Sequence, residues 1–479
     1  MVFSEGDKGT IINGGIIHSV GFPKKINGGI ALSNKKHQQV LALAVALGTM
    51  GVMEFSSVEA AEKVELEVQS VSTETEGNLS KEHVEKLVPE LKKSKVDVNK
   101  LSKQIQLVND TKGMNLNADF QRQADGNYHV VLTAKQEKEQ SFFLNGNNTG
   151  NSYSGDWRLG ATYLHRNLTK NADSLGLAYV TSPGHWDDVK QAAVVYRAIL
   201  PKVGDSMYVS YSWSDVDLGN IGNFGGLGVE ATGRGQTAGL HYQHNFKYSS
   251  AKKQILDIGI DQKWYDNATV YSYGGVKIND QLNYDVTTAS VNYMDITRKG
   301  NSFFAWSLGY TGNINSDDNF RLNRANSDSH FNLWKAGINY QARTKSDVVF
   351  GVRVNGQYTS DNVITTEQFG AGGINTVRGF KERTGYADKG YMGTLEIYSP
   401  EIGKGSRFVA FTDYAKLFNN NARVGELDSD DIGSYGIGYR FYSKKLGLNV
   451  SIDYAHAYNN LDRVSNNHRP WHVNISKEF

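Results

Sequence analysis

From Ser141 to the last residue, Phe479, strand-like segments follow one another with no convincing helix between them. Over residues 446–458, Leu446, Leu448, Val450, Ile452, Tyr454 and Tyr458 share one face. Gly447, Asn449, Ser451, Asp453 and Ala455 share the other. Leu256, Ile258, Ile260 and Trp264 oppose Asp257, Gly259, Asp261 and Lys263 in the same way. Successive side chains of a strand point to opposite faces, so each segment carries one apolar and one polar surface. Such segments, about ten residues long and repeated to the end of a chain, are the dispersed signature of a transmembrane barrel. A closed barrel satisfies its own backbone, so no apolar helix is needed to cross a membrane. The reading is a transmembrane β-barrel of about 16 antiparallel strands, an even number as in bacterial barrels. The chain has 50 Gly, 26 Tyr and 20 Phe but only 6 Pro, which suits many strands, since Pro cannot donate to a ladder.

Loops alternate in length, with long polar ones at 219–235, 313–329 and 361–390. Trp186, Trp213, Trp264, Trp306 and Trp334 lie near strand ends, where aromatics form interface girdles against outer-membrane lipid. On the final strand Trp471, Val473, Ile475 and Phe479 line one face. A terminal aromatic on an alternating strand resembles the outer-membrane targeting signal, which implies a partner in the barrel-assembly machinery. Lys477 puts a charge on that face, close enough to the end to snorkel. The rival fold, a soluble sandwich or propeller, leaves this strand unexplained.

The N-terminal part is different. Lys35-Lys36 precede an apolar run from Val40 through Val52, followed by small residues including Ala60. This is the layout of a secretory signal, too short for a good membrane-spanning helix. Residues 1–61 are read as leader and signal peptide, with an unusually long stretch before the lysines. Residues 62–140 read as one small α/β domain. Val64, Leu66 and Val68 alternate as a strand, and Ser80 can cap a helix through Leu91. Asp97 can cap a second helix carrying Val98, Leu101, Ile105 and Val108. Residues 115–121 and 128–134 then form a hairpin about Asp125-Gly126-Asn127. A β-α-α-β-β unit ahead of a β-rich body resembles a POTRA domain, and the barrel would occupy residues 141–479.

Several function classes lack support. A formal charge of +1 argues against nucleic acid as a partner. Absence of cysteine removes disulfides, thiolate metal sites and a cysteine nucleophile. The Gly-rich stretch 219–228 lacks the Gly-Lys-Ser/Thr end of a P-loop. His241 and His244, three apart on a strand, point to opposite faces and make a poor metal pair. The acidic runs Asp317-Asp318 and 428–431 read as solvated loops rather than calcium sites. No Ser sits in a nucleophile-elbow sequence. The expectation is a protein with no cofactor, no metal and no enzymatic activity.

The specific signal is residues 369–400, FGAGGINTVRGFKERTGYADKGYMGTLEIYSP. Gly370, Gly372, Gly373 and Gly379 suit a tightly folded loop with unusual backbone angles, and Arg378 is a cation within it. A polar, Gly-rich loop this long usually means function or disorder. The segment resembles the signature loop of the BamA-like outer-membrane superfamily, in particular the haemolysin secretion/activation family (ShlB, FhaC, HecB). The resemblance implies that the tip Val377-Arg378-Gly379-Phe380 folds back inside the barrel. It also implies that Arg378 pairs with Asp413 in Phe411-Thr412-Asp413-Tyr414-Ala415, where Ala415 replaces the usual Gly of the family's Phe-x-Asp-x-Gly. Residues 143–183 look like the family's entry into the barrel. Members usually carry two POTRA domains and a plug helix, whereas one POTRA fits here. The implied function is two-partner secretion: an outer-membrane translocator, its POTRA domain in the periplasm, exporting a haemolysin- or adhesin-like client polypeptide. An assembly factor like BamA or TamA and a passive porin are the alternatives.

Overall fold

The computed structural model describes residues 9–11, 64–151, 154–215, 219–224, 227–231, 234–273, 276–316, 327–422, 428–459 and 468–479. Apart from 9–11, the expected leader lies outside the described residues, as do Asp317 and Asp318.

A small sheet carrying two helices comes first. It comprises β1 (Gly9–Ile11), β2 (Glu65–Glu76), β3 (Lys95–Asp97), β4 (Met114–Arg122) and β5 (Tyr128–Gln136), in the order β1-β4-β5-β2-β3. Helix α2 (Val98–Thr111) begins where expected, with Asp97 accepting from the backbone N–H of Asn99 and Lys100. Helix α1 (Lys81–Leu87) is shorter than the apolar spacing suggests. Pro89 disfavours helical backbone at Val88, which sits at φ −127°, ψ 61°. The chain continues as a tight 3₁₀ turn over Pro89–Lys92, and Val88 and Leu91 stay buried. The strand β3 was not legible: it is three residues long, and its Asp97 doubles as the α2 cap. The hairpin turns at Gly126, φ 90°. Val84, Leu101, Ile105, Leu116, Val130 and Leu132 form the core of this POTRA domain.

Sixteen strands then close a barrel, each antiparallel to its neighbours. The first are β6 (Gln140–Asn147), β7 (Arg158–Arg166), β8 (Ser174–Thr181), β9 (Lys190–Leu200) and β10 (Asp205–Ser214). A small hairpin, β11 (Gly219–Phe224) and β12 (Leu227–Ala231), occupies the first long loop. The wall resumes with β13 (Gly235–Tyr248), β14 (Lys252–Tyr273), β15 (Val276–Lys299), β16 (Ser302–Ser316), β17 (Asn332–Arg343) and β18 (Val349–Tyr358). The loop from 359 to 388 holds β19 (Phe369–Ala371), β20 (Gly379–Phe380) and β21 (Gly385–Ala387). The wall ends with β22 (Lys389–Tyr398), β23 (Ser406–Phe418), β24 (Ser429–Ser443), β25 (Leu448–Asn459) and, after the two-residue β26 (His468–Arg469), β27 (Trp471–Glu478). β27 pairs with β6 from Asn474↔Asn147 to Glu478↔Phe143, and the ring is closed.

The inside–outside pattern follows the period of two. Leu395, Ile397, Phe408, Ile437, Ile260 and Val291 are exposed, with Ile437 at 67%, although each sits within a strand. A belt of this kind has no place on a soluble protein and belongs against lipid. On β27, Trp471 and Ile475 are exposed and His472 and Ser476 buried, and Phe479, just past its end, is exposed too. Lys477 donates to the Leu446 carbonyl at the neighbouring turn, so its charge leaves the apolar face. Of the tryptophans, Trp264 and Trp334 face outward on strands, whereas Trp186 sits exposed in the loop after β8. Turns at the POTRA end are short, such as 249–251 and 300–301, and the other end carries the longest loops, such as 359–388, although only two residues separate β14 from β15 there. Strands β14 and β15, at 22 and 24 residues, extend well past the roughly 9–11 that a crossing needs.

The α2 helix docks on the short-turn rim. Leu107 packs against Tyr248 and Ile255, Gln104 Nε2 donates to the Pro201 carbonyl at 3.1 Å, and Lys253 Nζ meets Asp110 Oδ2 at 2.6 Å. Burial alone would raise the Asp110 carboxyl. The Lys253 ammonium and hydrogen bonds from Lys253, Tyr248 and Gln106 outweigh it and hold the group below its ordinary value. A depressed carboxyl contributes stability above its unfolded pKa of about 3.9 and loses it only as pH falls through the lower folded value. Docking of α2, read as the hydrogen-exchange protection factor of its last turn, is therefore expected to stay constant between about pH 7 and about pH 5. Asp110→Ala, which strands the Lys253 charge, should speed that exchange by orders of magnitude.

Candidate functional site: the loop in the lumen

The loop between β18 and β22 crosses the lumen and is fastened to two walls. At its base, Lys263 of β14 ion-pairs with Glu367, and Tyr265 Oη donates to the same carboxylate at 3.2 Å. Asp388 caps the loop's ends, accepting from the backbone N–H of Val363 at 3.1 Å and of Asn420 at 2.9 Å. β19 pairs with β21, so the middle of the loop is a compact hairpin. Gly372, Gly373 and Gly379 have φ of 108°, 110° and 93°, angles at which a side chain would be strained. Gly370 does not: it lies in β19, and what it supplies is space, since a Cβ there would come within 2.8 Å of Arg383 Cγ.

The tip meets the opposite wall. Arg378 is 2% exposed. Its Nε donates to Asp413 Oδ2 at 2.7 Å and its Nη2 to Asp413 Oδ1 at 2.9 Å, a two-pronged pair. The Arg378 backbone N–H adds a third bond to Asp413 Oδ2 at 3.1 Å. Nη1 donates to Glu396 Oε1 at 2.9 Å and lies 3.7 Å from Asp453 Oδ2. The guanidinium carbon is 3.4 Å from the centre of the Phe411 ring, a close cation–π stack. Three carboxylates around one guanidinium would be over-compensated. Arg440 restores balance by binding Asp453 at 2.7 Å, and Arg353 lies 3.8 Å from Glu396. Val377 and Phe380 are buried beside Arg378, packed with Ala371, Ala415, Leu417 and Ile432.

Cross-strand register explains how the wall receives the tip. Glu396 lies opposite Phe411, Phe411 opposite Gly436, and Gly436 opposite Ala455. The next row runs Thr394, Asp413, Ser434, Ala457. On the other side Gly438, Asp453 and His472 face one another across β24, β25 and β27. Small residues recess the wall. A Cβ on Gly436 would fall 2.5 Å from Phe411 Cζ and 2.1 Å from the Tyr454 carbonyl oxygen, and one on Gly438 2.0 Å from Asp453 Oδ1. Ala415 is fully buried in the cluster under the tip, so its methyl group is accommodated. Glu396, Arg440, Gly436, Gly438, Asp453 and His472 were not assigned to the site from sequence. Their inward parity was readable, and Asp453 was placed on a polar face, but parity does not say which inward residues meet.

The remaining sequence candidates lie elsewhere. Trp471, Val473, Ile475 and Phe479 are on the outward side of β27, away from the tip. His241 faces inward between Asp257 at 2.7 Å and Asp261 at 3.3 Å, while His244 faces the other way and meets Asp205.

The sequence profile of the family described as haemolysin secretion/activation protein ShlB/FhaC/HecB matches residues 126–441. The chain belongs to this family. The matched span includes both Arg378 and Asp413. A heme/hemopexin transporter protein HuxB of Haemophilus influenzae is 23% identical over 394 residues, 78% of this chain and 66% of that protein. A HuxB from a second strain is 23% identical over 358 residues, 72% of this chain and 57% of the relative. The alignments thus cover 57–66% of the length of these curated relatives. Among solved structures, CdiB from Escherichia coli superposes with a TM-score of 0.70 at 16% identity, over 86% of this chain and 77% of that one. BamA from Haemophilus ducreyi, lacking POTRA domains 1–3, gives 0.55 at 13%, over 86% and 85%. At such identities these likenesses speak of fold alone. The fold and family together make this an outer-membrane barrel with its POTRA domain in the periplasm.

Removing the cation while its carboxylates stay buried costs about 3–5 kcal/mol by precedent. Arg378→Ala should therefore lower the thermal unfolding midpoint of the detergent-solubilised barrel. Arg378→Ala with Asp413→Ala should cost less than the sum of the single changes, because the pair is coupled. Gly436→Ala, which touches no charge, should lower the midpoint too, since backbone of β25 blocks its Cβ.

Proposed function

We propose that the protein exports a partner polypeptide of haemolysin- or adhesin-like type through its barrel. The observation that carries this reading is a long loop held across the lumen by one buried cation, in a chain of the secretion/activation family. The work is physical rather than catalytic. The outer side of β2 from Ser70 to Glu76 has no strand partner among the described residues. An unfolded client would add a strand there, gaining backbone hydrogen bonds with loose sequence demands. It would then pass the lumen alongside the Arg378 tip, with Val377, Gly379 and Phe380 shaping the tip and Asp413 and Phe411 receiving it. Folding of the client outside would supply the drive. Outer-membrane lipid would contact the apolar belt, and the barrel-assembly machinery would read β27 through Trp471, Val473, Ile475 and Phe479.

The test is secretion of a large client encoded beside this gene, with the protein intact, deleted or carrying Arg378→Ala. Deletion is expected to retain the client in the periplasm while other outer-membrane proteins assemble normally. Arg378→Ala should reduce export at normal barrel levels. Loss of many barrels with client export intact would instead make this an assembly factor of the BamA kind.

A further inference from the structure

The last wall strand holds the loop tip by a contact that depends on the protonation of one side chain. The backbone N–H of Gly379 donates to His472 Nε2 at 2.9 Å, and His472 is buried. The accepting nitrogen carries no proton, so the imidazole is neutral with its hydrogen on Nδ1. Gly379 cannot easily seek another acceptor. It sits at φ 93°, against the Ala455 and Ser434 side chains, and adjoins the Arg378 anchor. The same stretch grips the tip twice more. Gly379 pairs with Arg469 and Phe380 with His468, whose ring lies 5.4 Å from the Phe380 ring.

This stretch also closes the barrel. Beyond Asn474↔Asn147 the seam continues through Asn148, whose side chain donates to the Trp471 carbonyl at 2.8 Å and accepts from Val473 N–H at 2.9 Å. Arg469 reaches across it to the Asn148 carbonyl and to Asp156.

We infer that His472 is a positioning residue that seats the translocation loop by offering Gly379 a neutral acceptor from the closing strand, and that protonating it unseats the tip. An imidazolium presents two donors and no acceptor, so it would face the Gly379 N–H head on. The charged groups around it come from several elements. Asp453 of β25 is its cross-strand partner and would favour the added charge. Arg378 on the loop, Arg440 on β24 and Arg469 beside β27 would oppose it. Asp413 of β23 and Glu396 of β22 are engaged with Arg378. Protonation therefore draws His472 toward Asp453, the carboxylate that Arg440 holds and Arg378 approaches, and so disturbs both supports of the tip.

For secretion this rests on the translocator reading, but the test does not need a client. Cysteine is absent from the chain, so Lys381→Cys places one thiol just past the tip. Its maleimide modification rate in the purified full chain reports tip release. His472→Gln keeps an acceptor near the Nε2 position that cannot be protonated; His472→Leu removes it. At about pH 7.5, the His472→Leu variant should react about tenfold faster, the change that losing one buried acceptor produces. The His472→Gln variant should match the protein that keeps His472. Toward about pH 5, where histidines become charged, every rate falls because maleimide takes the thiolate, but the rate with His472 in place should rise relative to that of the His472→Gln variant at the same pH. An unchanged rate in the His472→Leu variant at about pH 7.5, or a ratio of the His472 rate to the His472→Gln rate that stays level down to about pH 5, overturns the inference. Either result leaves the secretion test, and the reading it serves, untouched.

Discussion

A guanidinium taken out of water must recover its hydration from the protein, and Arg378 does so entirely from one wall of the barrel. Asp413 supplies a two-pronged pair, Glu396 takes the remaining nitrogen, and the Phe411 ring covers one face. Charged hydrogen bonds in such surroundings contribute more than neutral ones, but only when every partner is present. Arg440 and Arg353 matter as much as the carboxylates, because they keep three acids from facing one cation. The tip has only a small apolar cluster of its own, so the ionic network decides whether a polar, glycine-rich loop stays inside.

That network depends on closure of the sheet. Its members come from β22, β23, β24 and β25, with His472 on β27, and antiparallel register alone sets them side by side. Register is strongly specified here because a slip of one residue would carry every lipid-facing side chain into the lumen. The exposed Leu395 and Ile397 flank Glu396, and the exposed Ile437 lies between Gly436 and Gly438. Burial against lipid on one side thus fixes the chemistry on the other. The same closure brings α2 against the rim, where Asp110 and Lys253 join the POTRA domain to the first long strand.

Much of this was readable in advance, and for definite reasons. Alternation marked the wall, and the length and glycine content of 361–390 marked a loop with unusual backbone. The likeness to a known family named Arg378 and Asp413 as partners, and their side chains are in contact. The misreadings were local. Helix α1 stops at Leu87 because Pro89 overrules the apolar spacing, and β3 is too short to carry a pattern. Gly370 was grouped with the flexible glycines, although its backbone is ordinary and its role is room for Arg383.

The sequence by itself determined which way each wall residue points, because a strand's period of two leaves a single choice once one face must meet lipid. It also determined where the chain leaves the wall, through glycine-rich and polar runs. Only the tertiary structure decided which inward residues become neighbours. Asp453 and His472 are distant from Arg378 along the chain and share no motif with it, and Glu396, though it lies in the same 369–400 segment, was not assigned to the site. They meet because sixteen strands close with one register, and because Gly436, Gly438, Ser434 and Ala455 leave a recess where the folded-back tip arrives.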